Sequence, residues 1–395
     1  MKKVICMILT ASLLFLSAFS VNASDAVTTG GDILEEDAVD SGSGLTLDVP
    51  SAILIDAATG TVLFEKDADE ARYPASVTKT MTLLLIAEAL ADGRINNKDT
   101  VCISAHSASM GGSQVFLKEG EIFTVEDLIK CTVIASANDA AVALAEHLAG
   151  SEGAFVDMMN ARAVELGLTA SKFENTTGLD DQTENHTMSA RDISIISREL
   201  IKYPTVTAYS AVWQDSIRDG EFVLTNTNRL VRYYQGCTGL KTGSTDKAGF
   251  CVSASAKRGE TELIAVIMGA SSGSERNEAA KALLDFGFAN YALFTSPVLS
   301  LGEVRVKMGT CDYVKISADA FSSIVKKSDM SKIERKIEIP ESVNAPLKAG
   351  DTIGKVKFLV GEEVIGETDI RVLEDCYEIS FFGVLARMLL FGFSS

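Results

Sequence analysis

Ser76 and Lys79 stand three residues apart in the run YPASVTKTMT, at what reads as the start of a helix. A spacing of three puts both side chains on one helix face, one turn apart. A serine hydroxyl is a weak nucleophile until a base takes its proton. A lysine can be that base only where burial or a neighbouring cation lowers its pKa. The apolar run after Lys79, TMTLLLIAEALA, makes burial the expectation, and the helix N-terminus adds the positive end of its dipole. The pattern alone is cheap, since Ser244/Lys247 and Ser323/Lys326 repeat it. Two further groups give it weight. Ser136-Ala137-Asn138 lies at the junction of two helical patterns, although Ser-x-Asn also recurs at Ser20/Asn22 and Ser342/Asn344. Lys241-Thr242-Gly243 occurs once, inside a strand pattern. A Ser-x-x-Lys opening a helix, a Ser-x-Asn between helices and a Lys-Thr-Gly on an edge-like strand together offer a nucleophile, a candidate base, a second hydroxyl and a second cation, the parts of a serine acyl-transfer site.

The elements that must position these residues are legible from periodicity. SAILIDAATGTVLFEKDAD has two apolar-rich runs around Ala58-Thr59-Gly60 and predicts a β-hairpin. The helix after Ser76 carries Val77, Met81, Leu84, Leu85 and Ala89 on one face, with Gly93 as its stop. Helical patterns follow in TVEDLIKCTVIAS, DAAVALAEHLAG, EGAFVDMMNARAVELG and SARDISIISRELIKY. Strands then return in GLKTGST, GFCVSASAK and TELIAVIMGA, before a last helix, ERNEAAKALLDFGFANY. Strands at both ends with helices between predict one sheet covered by helices and closed by the two ends of the unit. After Phe294 the pattern changes to short alternating strands, VRVKMG, YVKISA, KIEIP, KVKFLV and TDIRVL, which predict a small all-β domain over 295–375.

The two termini read differently. Lys2 and Lys3, an uncharged apolar stretch from Val4 to Val21 and the small residues of VNAS predict a signal peptide over 1–23, cleaved after Ala23, and hence export. Residues 24–47 are acidic and Gly/Ser-rich, the composition of a flexible leader. The catalytic unit is expected over 48–294. The segment 376–395 ends in an apolar stretch in which Arg387 is the one charge between Ile379 and Phe393. It is too short for the roughly 20 residues that span a bilayer but suits an amphipathic helix lying on a membrane surface.

Composition narrows the function further. The chain has 395 residues, 47% of them hydrophobic, enough for a large core and two domains. Its formal charge is −18, and loss of Lys2 and Lys3 would leave 34 basic against 54 acidic residues. Such acidity without a basic block excludes a nucleic-acid partner. After the signal segment six cysteines remain, Cys102, Cys131, Cys237, Cys251, Cys311 and Cys376, too scattered for a disulfide scaffold and without a C-x-x-C pair for zinc. Cys237 and Cys251 flank TGLKTGSTDKAGF, and a hairpin closing near Ser244 would set them opposite each other; two small buried hydrophobes is the equal alternative.

The motifs with their surroundings resemble the serine-type D-alanyl-D-alanine carboxypeptidases, the low-molecular-weight penicillin-binding proteins of peptidase family S11. The resemblance runs from about Val49 to the tail, through YPASVTKTMT, SANDAAVALAEHLAGSEGAFVDMMNARAVELGL, GLKTGSTDKAGFCVSASAKR and LIAVIMGA. It implies an α+β fold: a β-lactamase/transpeptidase-like domain with an antiparallel sheet, covering helices and a helical subdomain, then the all-β domain and the tail helix. It also implies roles. Lys79 would take the proton of Ser76, and Ser76 would attack the carbonyl between two D-alanines of a peptidoglycan stem peptide. Ser136 would relay a proton to the departing amine. Asn138 would hold Lys79 and the substrate amide, Lys241 would supply positive potential, and Thr242 would bind the substrate carboxylate. Backbone N–H groups of Ser76 and of Ser244, beyond Gly243, would stabilise the oxyanion. Positive charge at Lys79 and Lys241 would suit the anionic peptide terminus. No cofactor or metal is needed, and β-lactams would acylate Ser76. The resemblance places the enzyme on the outer face of the cytoplasmic membrane, trimming stems and limiting cross-linking.

Three rivals share some of these features. Gly269-Ala270-Ser271-Ser272-Gly273 fits a nucleophile elbow, but His106, His147 and His186 all precede Ser271, the wrong chain order for that triad. His186 reads as a structural residue of the helical region. A class A-like β-lactamase would carry a Glu-x-x-Leu-Asn loop, and none lies between Ser136 and Lys241. An inactive wall-binding homologue would not need Ser76, Lys79, Ser136 and Lys241 intact.

Overall fold

A computed structural model describes residues 44–181 and 183–392. The expected signal segment and most of the leader lie outside these residues. Leu47, at the end of the leader composition, is buried, and its carbonyl accepts a hydrogen bond from Lys66 Nζ at 3.0 Å.

The catalytic unit is built on one antiparallel sheet of five strands. Its spatial order is Val62–Lys66, Ser51–Asp56, Thr261–Ala270, Gly249–Arg258 and Cys237–Thr245. The strand nearest the N-terminus therefore pairs with one from the far end of the unit, Ile53 opposite Val266, as the strand–helix–strand order predicts. The expected hairpin forms because Asp56 Oδ2 accepts from the Thr59 N–H at 2.8 Å and its hydroxyl at 2.7 Å, an Asx turn completed by Gly60 at φ 77°. Alternate residues of Ser51–Asp56 feed two cores. Ile53 and Ile55 join the cluster under the helical lobe, while Ala52 and Leu54 join the one under the helix Gly273–Asn290.

The helix Lys79–Ala91, entered through a short 3-10 turn at Ala75–Thr78, runs through the middle of the larger core. Its apolar face was expected to be a stripe. Instead Thr80, Thr82, Leu83, Ile86 and Ala87 are buried as well, because the helices Ala190–Ile201 and Asn138–Ala149 pack on different sides of it. A helix enclosed on all sides has no solvent face to pattern. Each fully buried Leu, Ile or Met here contributes roughly 1.5–3 kcal/mol relative to exposure.

The β-rich part holds a six-stranded sheet in the order Ile333–Glu338, Thr352–Val360, Glu363–Val372, Tyr313–Ala318, Leu299–Lys307 and Ser342–Asn344. Two strands without a clear sequence signal, Tyr291–Ser296 and Phe321–Lys326, pair with each other. The first continues directly from the helix Gly273–Asn290, so the chain crosses residue 294 inside a strand, not in a linker.

Cysteine pairing differs from the candidate pair. The hairpin carrying Lys-Thr-Gly turns at residues 246–248, which puts Cys237 opposite Ala256 and Cys251 opposite Gly243; both are free thiols. The disulfide joins Cys311 to Cys376, 65 residues apart. The Cys376 backbone also pairs with Leu347, and the Ile379 N–H donates to Met308 O at 2.8 Å, so the root of the tail is fastened to the β-sheet. Closing a loop of this length is worth about 2–4 kcal/mol. Reduction of the purified protein is expected to lower the thermal midpoint of the β-rich part. A Cys311→Ser variant insensitive to reductant checks that this bridge is responsible.

Candidate active site

The backbone at Ser76 is shaped before any partner arrives. Ala75 takes a left-handed φ of 48°, and the following 3-10 turn swings Ser76 to the mouth of the buried helix. Lys79, one turn on, has no exposed surface. Its Nζ lies 2.9 Å from Ser76 Oγ, 2.6 Å from Asn138 Oδ1 and 2.9 Å from the Thr177 carbonyl. The Ser-x-x-Lys spacing thus brings hydroxyl and amine into hydrogen-bond contact, and two acceptors from distant segments complete the shell.

Ser136 sits in the connection between the helices Val125–Ile134 and Asn138–Ala149, at φ 61°. A non-glycine residue pays about 1–2 kcal/mol for that conformation. Its Oγ is buried and has no hydrogen-bond partner among the described residues, a hydroxyl aimed without a structural task. Asn138 is tied on both sides: its backbone N–H donates to Ser113 O and its Nδ2 to Gly111 O, each at 2.7 Å. That tether turns Oδ1 toward Lys79. Asp139, next in the helix, accepts from the N–H groups of Val115 and Leu117 at 3.1 and 3.0 Å and so anchors the same wall.

The Lys-Thr-Gly strand is one edge of the sheet, and it meets the turn at Ser76 through Gly243. A Cβ there would stand 2.7 Å from Ser76 N and 2.9 Å from Pro74 O. Only a glycine lets the strand close on the Ser76 amide. Lys241, buried to 1% exposure, donates from Nζ to Thr242 O at 3.0 Å, and the Thr242 hydroxyl donates to Thr227 Oγ1 at 2.8 Å. Ser244 is exposed at the end of the strand.

Electrostatics follow from this enclosure. Burial pushes the Lys79 pKa well below the ordinary lysine value, the Lys241 charge pushes it the same way, and Asp139 opposes both. Lys241 is lowered to about 7, chiefly by burial and then by the Arg276 guanidinium. Positive potential at the site therefore comes from Lys241 and Arg276, in place of the Lys79 charge that the sequence reading paired with Lys241. Disfavouring the charged form in this way makes the Lys79 amine a better acceptor for the Ser76 proton than an exposed lysine.

The other sequence candidates separate cleanly. Ser323 and Lys326 lie on a strand, where residues three apart point to opposite faces. Lys247 is in the hairpin turn and donates to Asp180 O at 2.6 Å. Ser271 and Ser272 cap the helix Gly273–Asn290, Ser272 Oγ accepting from the Glu275 N–H while the Ser271 N–H donates to the Glu275 carboxylate. His186 is buried: its Nδ1 accepts from the Glu174 N–H at 3.1 Å, which leaves Nε2–H to donate to Thr78 Oγ1 at 2.8 Å. Burial lowers its pKa to about 4, so it is a neutral structural brace.

Two groups escaped the sequence reading. The Thr177 carbonyl carries no side-chain signature. Arg276, in the first turn of the helix Gly273–Asn290, belongs to no motif, yet it is 8% exposed and its charge acts on Lys241. No cluster able to hold a metal ion exists among the described residues.

Comparison with known proteins places the chain in a family. Residues 37–272 match the family described as D-alanyl-D-alanine carboxypeptidase, and residues 296–378 match the penicillin-binding protein 5 C-terminal domain. The chain is 41% identical to D-alanyl-D-alanine carboxypeptidase DacF of Bacillus subtilis over 88% of its own length and 90% of that relative. Among solved structures, penicillin-binding protein 5 from Haemophilus influenzae superposes with a TM-score of 0.77 at 31% identity, over 85% of this chain and 99% of that one. Penicillin-binding protein D2 from Listeria monocytogenes, solved with ampicillin bound, gives 0.57 at 28% identity, over 62% of this chain and 98% of that one.

Proposed function

Because the chain belongs to the D-alanyl-D-alanine carboxypeptidase family, and acts as a serine carboxypeptidase on peptidoglycan stem peptides, we propose that its chemistry runs through Ser76 with Lys79 as base. The observation that carries this is the buried amine of Lys79 at 2.9 Å from the Ser76 hydroxyl. Lys79 takes the hydroxyl proton as Oγ bonds to the carbonyl carbon of the penultimate D-alanine. The resulting oxyanion lies between the Ser76 N–H and the N–H of Ser244, on the strand that Gly243 presses against the serine. Ser136 passes a proton to the nitrogen as the C–N bond breaks, and D-alanine leaves as the amine. Water then adds to the ester, restoring Ser76 and leaving the shortened stem with a new carboxylate. Asn138 holds Lys79 and the substrate amide, and Thr242, Lys241 and Arg276 face the terminal carboxylate.

Mass spectrometry of penicillin-treated protein tests the nucleophile. The expected result is one adduct per chain, on Ser76, lost in Ser76→Ala together with D-alanine release from a pentapeptide. Rapid turnover of a chromogenic cephalosporin would instead favour a β-lactamase, and absence of D-alanine release an inactive wall-binding homologue. The pH profile tests the charge assignment. Neutral Lys79 is the active form, so kcat/KM rises with pH through its depressed pKa. Protonated Lys241 attracts the carboxylate, so kcat/KM falls again above about 7. Lys241→Arg, charged throughout, is expected to remove that alkaline limb; a limb that stays in place would count against Lys241.

We further propose that the protein is exported and held at the membrane surface by its tail. The helix Phe381–Gly392 has twelve residues, and Phe381 and Phe382 are each 78% exposed. At 1.5 Å per residue it is well short of a bilayer core of about 30 Å, and among the described residues no helix is long and apolar enough to cross a membrane. An interfacial position fits those dimensions. The residues up to Ile379 are bonded to the β-sheet, so a chain ending at Ser380 is expected to lose vesicle binding and keep its activity.

A further inference from the structure

Lys79 carries three polar neighbours but, as a neutral amine, only two N–H groups and one lone pair. Carbonyl oxygens can only accept, so Asn138 Oδ1 at 2.6 Å and Thr177 O at 2.9 Å must take the two N–H groups. The lone pair is then left facing Ser76 Oγ, the one neighbour with a proton to give. The aim of the base therefore depends on where the Thr177 carbonyl is held.

That carbonyl belongs to a turn with no helix or strand of its own. Within the turn Asn175 Oδ1 accepts from the Thr177 and Gly178 N–H groups at 3.1 and 2.7 Å, and from outside it a carboxylate 24 residues from Thr176 holds the turn in place. Glu152 Oε1 accepts from the Thr176 N–H at 3.0 Å and from the Thr176 hydroxyl at 2.8 Å. Glu152 opens the helix Glu152–Glu165, where Ser151 caps the first turn by accepting from the Ala154 N–H, so its backbone is rigid. Its other oxygen lies 2.8 Å from His106 Nε2, and its side chain is 17% exposed. From the opposite side Thr82 Oγ1 donates to Thr176 O at 2.7 Å. Thr176 is thus clamped at N–H, hydroxyl and carbonyl, and the next carbonyl in the chain is the one that receives Lys79.

We propose that Glu152 is a positioning residue for the reaction: by fixing Thr176 it sets the Thr177 carbonyl that orients the Lys79 lone pair toward Ser76. The proposal rests on Lys79 being the base. Charge on Glu152 is not what the geometry uses; an acceptor oxygen at that place is. Glu152→Gln keeps such an oxygen and Glu152→Ala removes it.

The test is the rate of acylation by penicillin, followed from acid to alkaline pH, with the final adduct stoichiometry measured by mass. Glu152→Ala is expected to acylate about 10–100-fold more slowly even at the maximum of its pH profile, while still reaching one adduct per chain. Glu152→Gln is expected to restore the maximal rate, and His106→Ala to leave it unchanged. A Glu152→Ala maximal rate equal to that of the unaltered protein, a Gln variant as slow as the Ala variant, or an Ala variant that loses stoichiometry and keeps its rate would each overturn the proposal. Acylation of a Lys79→Met variant at full rate would instead remove the base assignment on which it stands.

Discussion

Lys79→Met is expected to lower acylation of Ser76 by about 10²–10⁴-fold, the range a positioned general base supplies. Methionine matches the unbranched reach of lysine and suits a site with no exposed surface. Two effects on stability then oppose each other. The substitution removes a buried amine whose charged form is strongly disfavoured there. It also leaves Asn138 Oδ1 and Thr177 O without the donor they share, at about 1–3 kcal/mol for each buried acceptor. The fold has no cavity to refill, so the variant should purify as a folded protein with a modestly lower thermal midpoint and almost no acylation. Adduct formation measured against time decides the matter. An undiminished rate would falsify the role of Lys79, since no other amine lies within hydrogen-bond distance of Ser76 Oγ among the described residues.

Gly178→Ala has the next largest expected effect, and it acts through the same turn. Gly178 has φ 82°, and a Cβ there would sit 1.8 Å from Ala75 O and 2.6 Å from Thr78 Oγ1. The first of these is backbone, which cannot rotate away. The turn must therefore retreat from the start of the catalytic helix, taking the Thr177 carbonyl with it. Overpacking costs about 1–3 kcal/mol, and the left-handed conformation adds about 1–2 kcal/mol for a residue with a Cβ. For a domain of this size each kcal/mol shifts the thermal midpoint by about 2–4 °C, so a fall of several degrees should accompany slower acylation. Gly150→Ala isolates the contact, because Gly150 has the same φ of 82° with nothing within 4 Å of its would-be Cβ. Equal losses in the two variants would mean that strain alone is responsible and that the turn is not wedged against Ala75.

These two substitutions mark the line between local and distant information. Ser76 and Lys79 were legible because their contact depends only on helical spacing. The order of strands and helices followed from apolar periodicity, and so did the all-β character beyond residue 294. In each case the deciding interactions lie within a few residues along the chain. Ser136 and Asn138 were legible only as one part of a set of three motifs, since Ser-x-Asn recurs elsewhere in the chain.

What sequence could not supply was every contact that spans the fold. The third partner of Lys79 is a main-chain carbonyl 98 residues away, and main chain looks alike in every residue. Gly243 meets the Ser76 amide because an edge strand docks on a helix start, which no spacing within either motif encodes. The cysteine pairing turned on the hairpin turning at residues 246–248 instead of near Ser244, which moved Cys237 and Cys251 out of register. The first helix is buried all round because other helices enclose it. The amino-acid sequence by itself determined which groups are present and which local conformations hold them. Tertiary packing alone decided their distances, their burial and hence their pKa values, because desolvation and hydrogen-bond direction are properties of the whole environment around an atom.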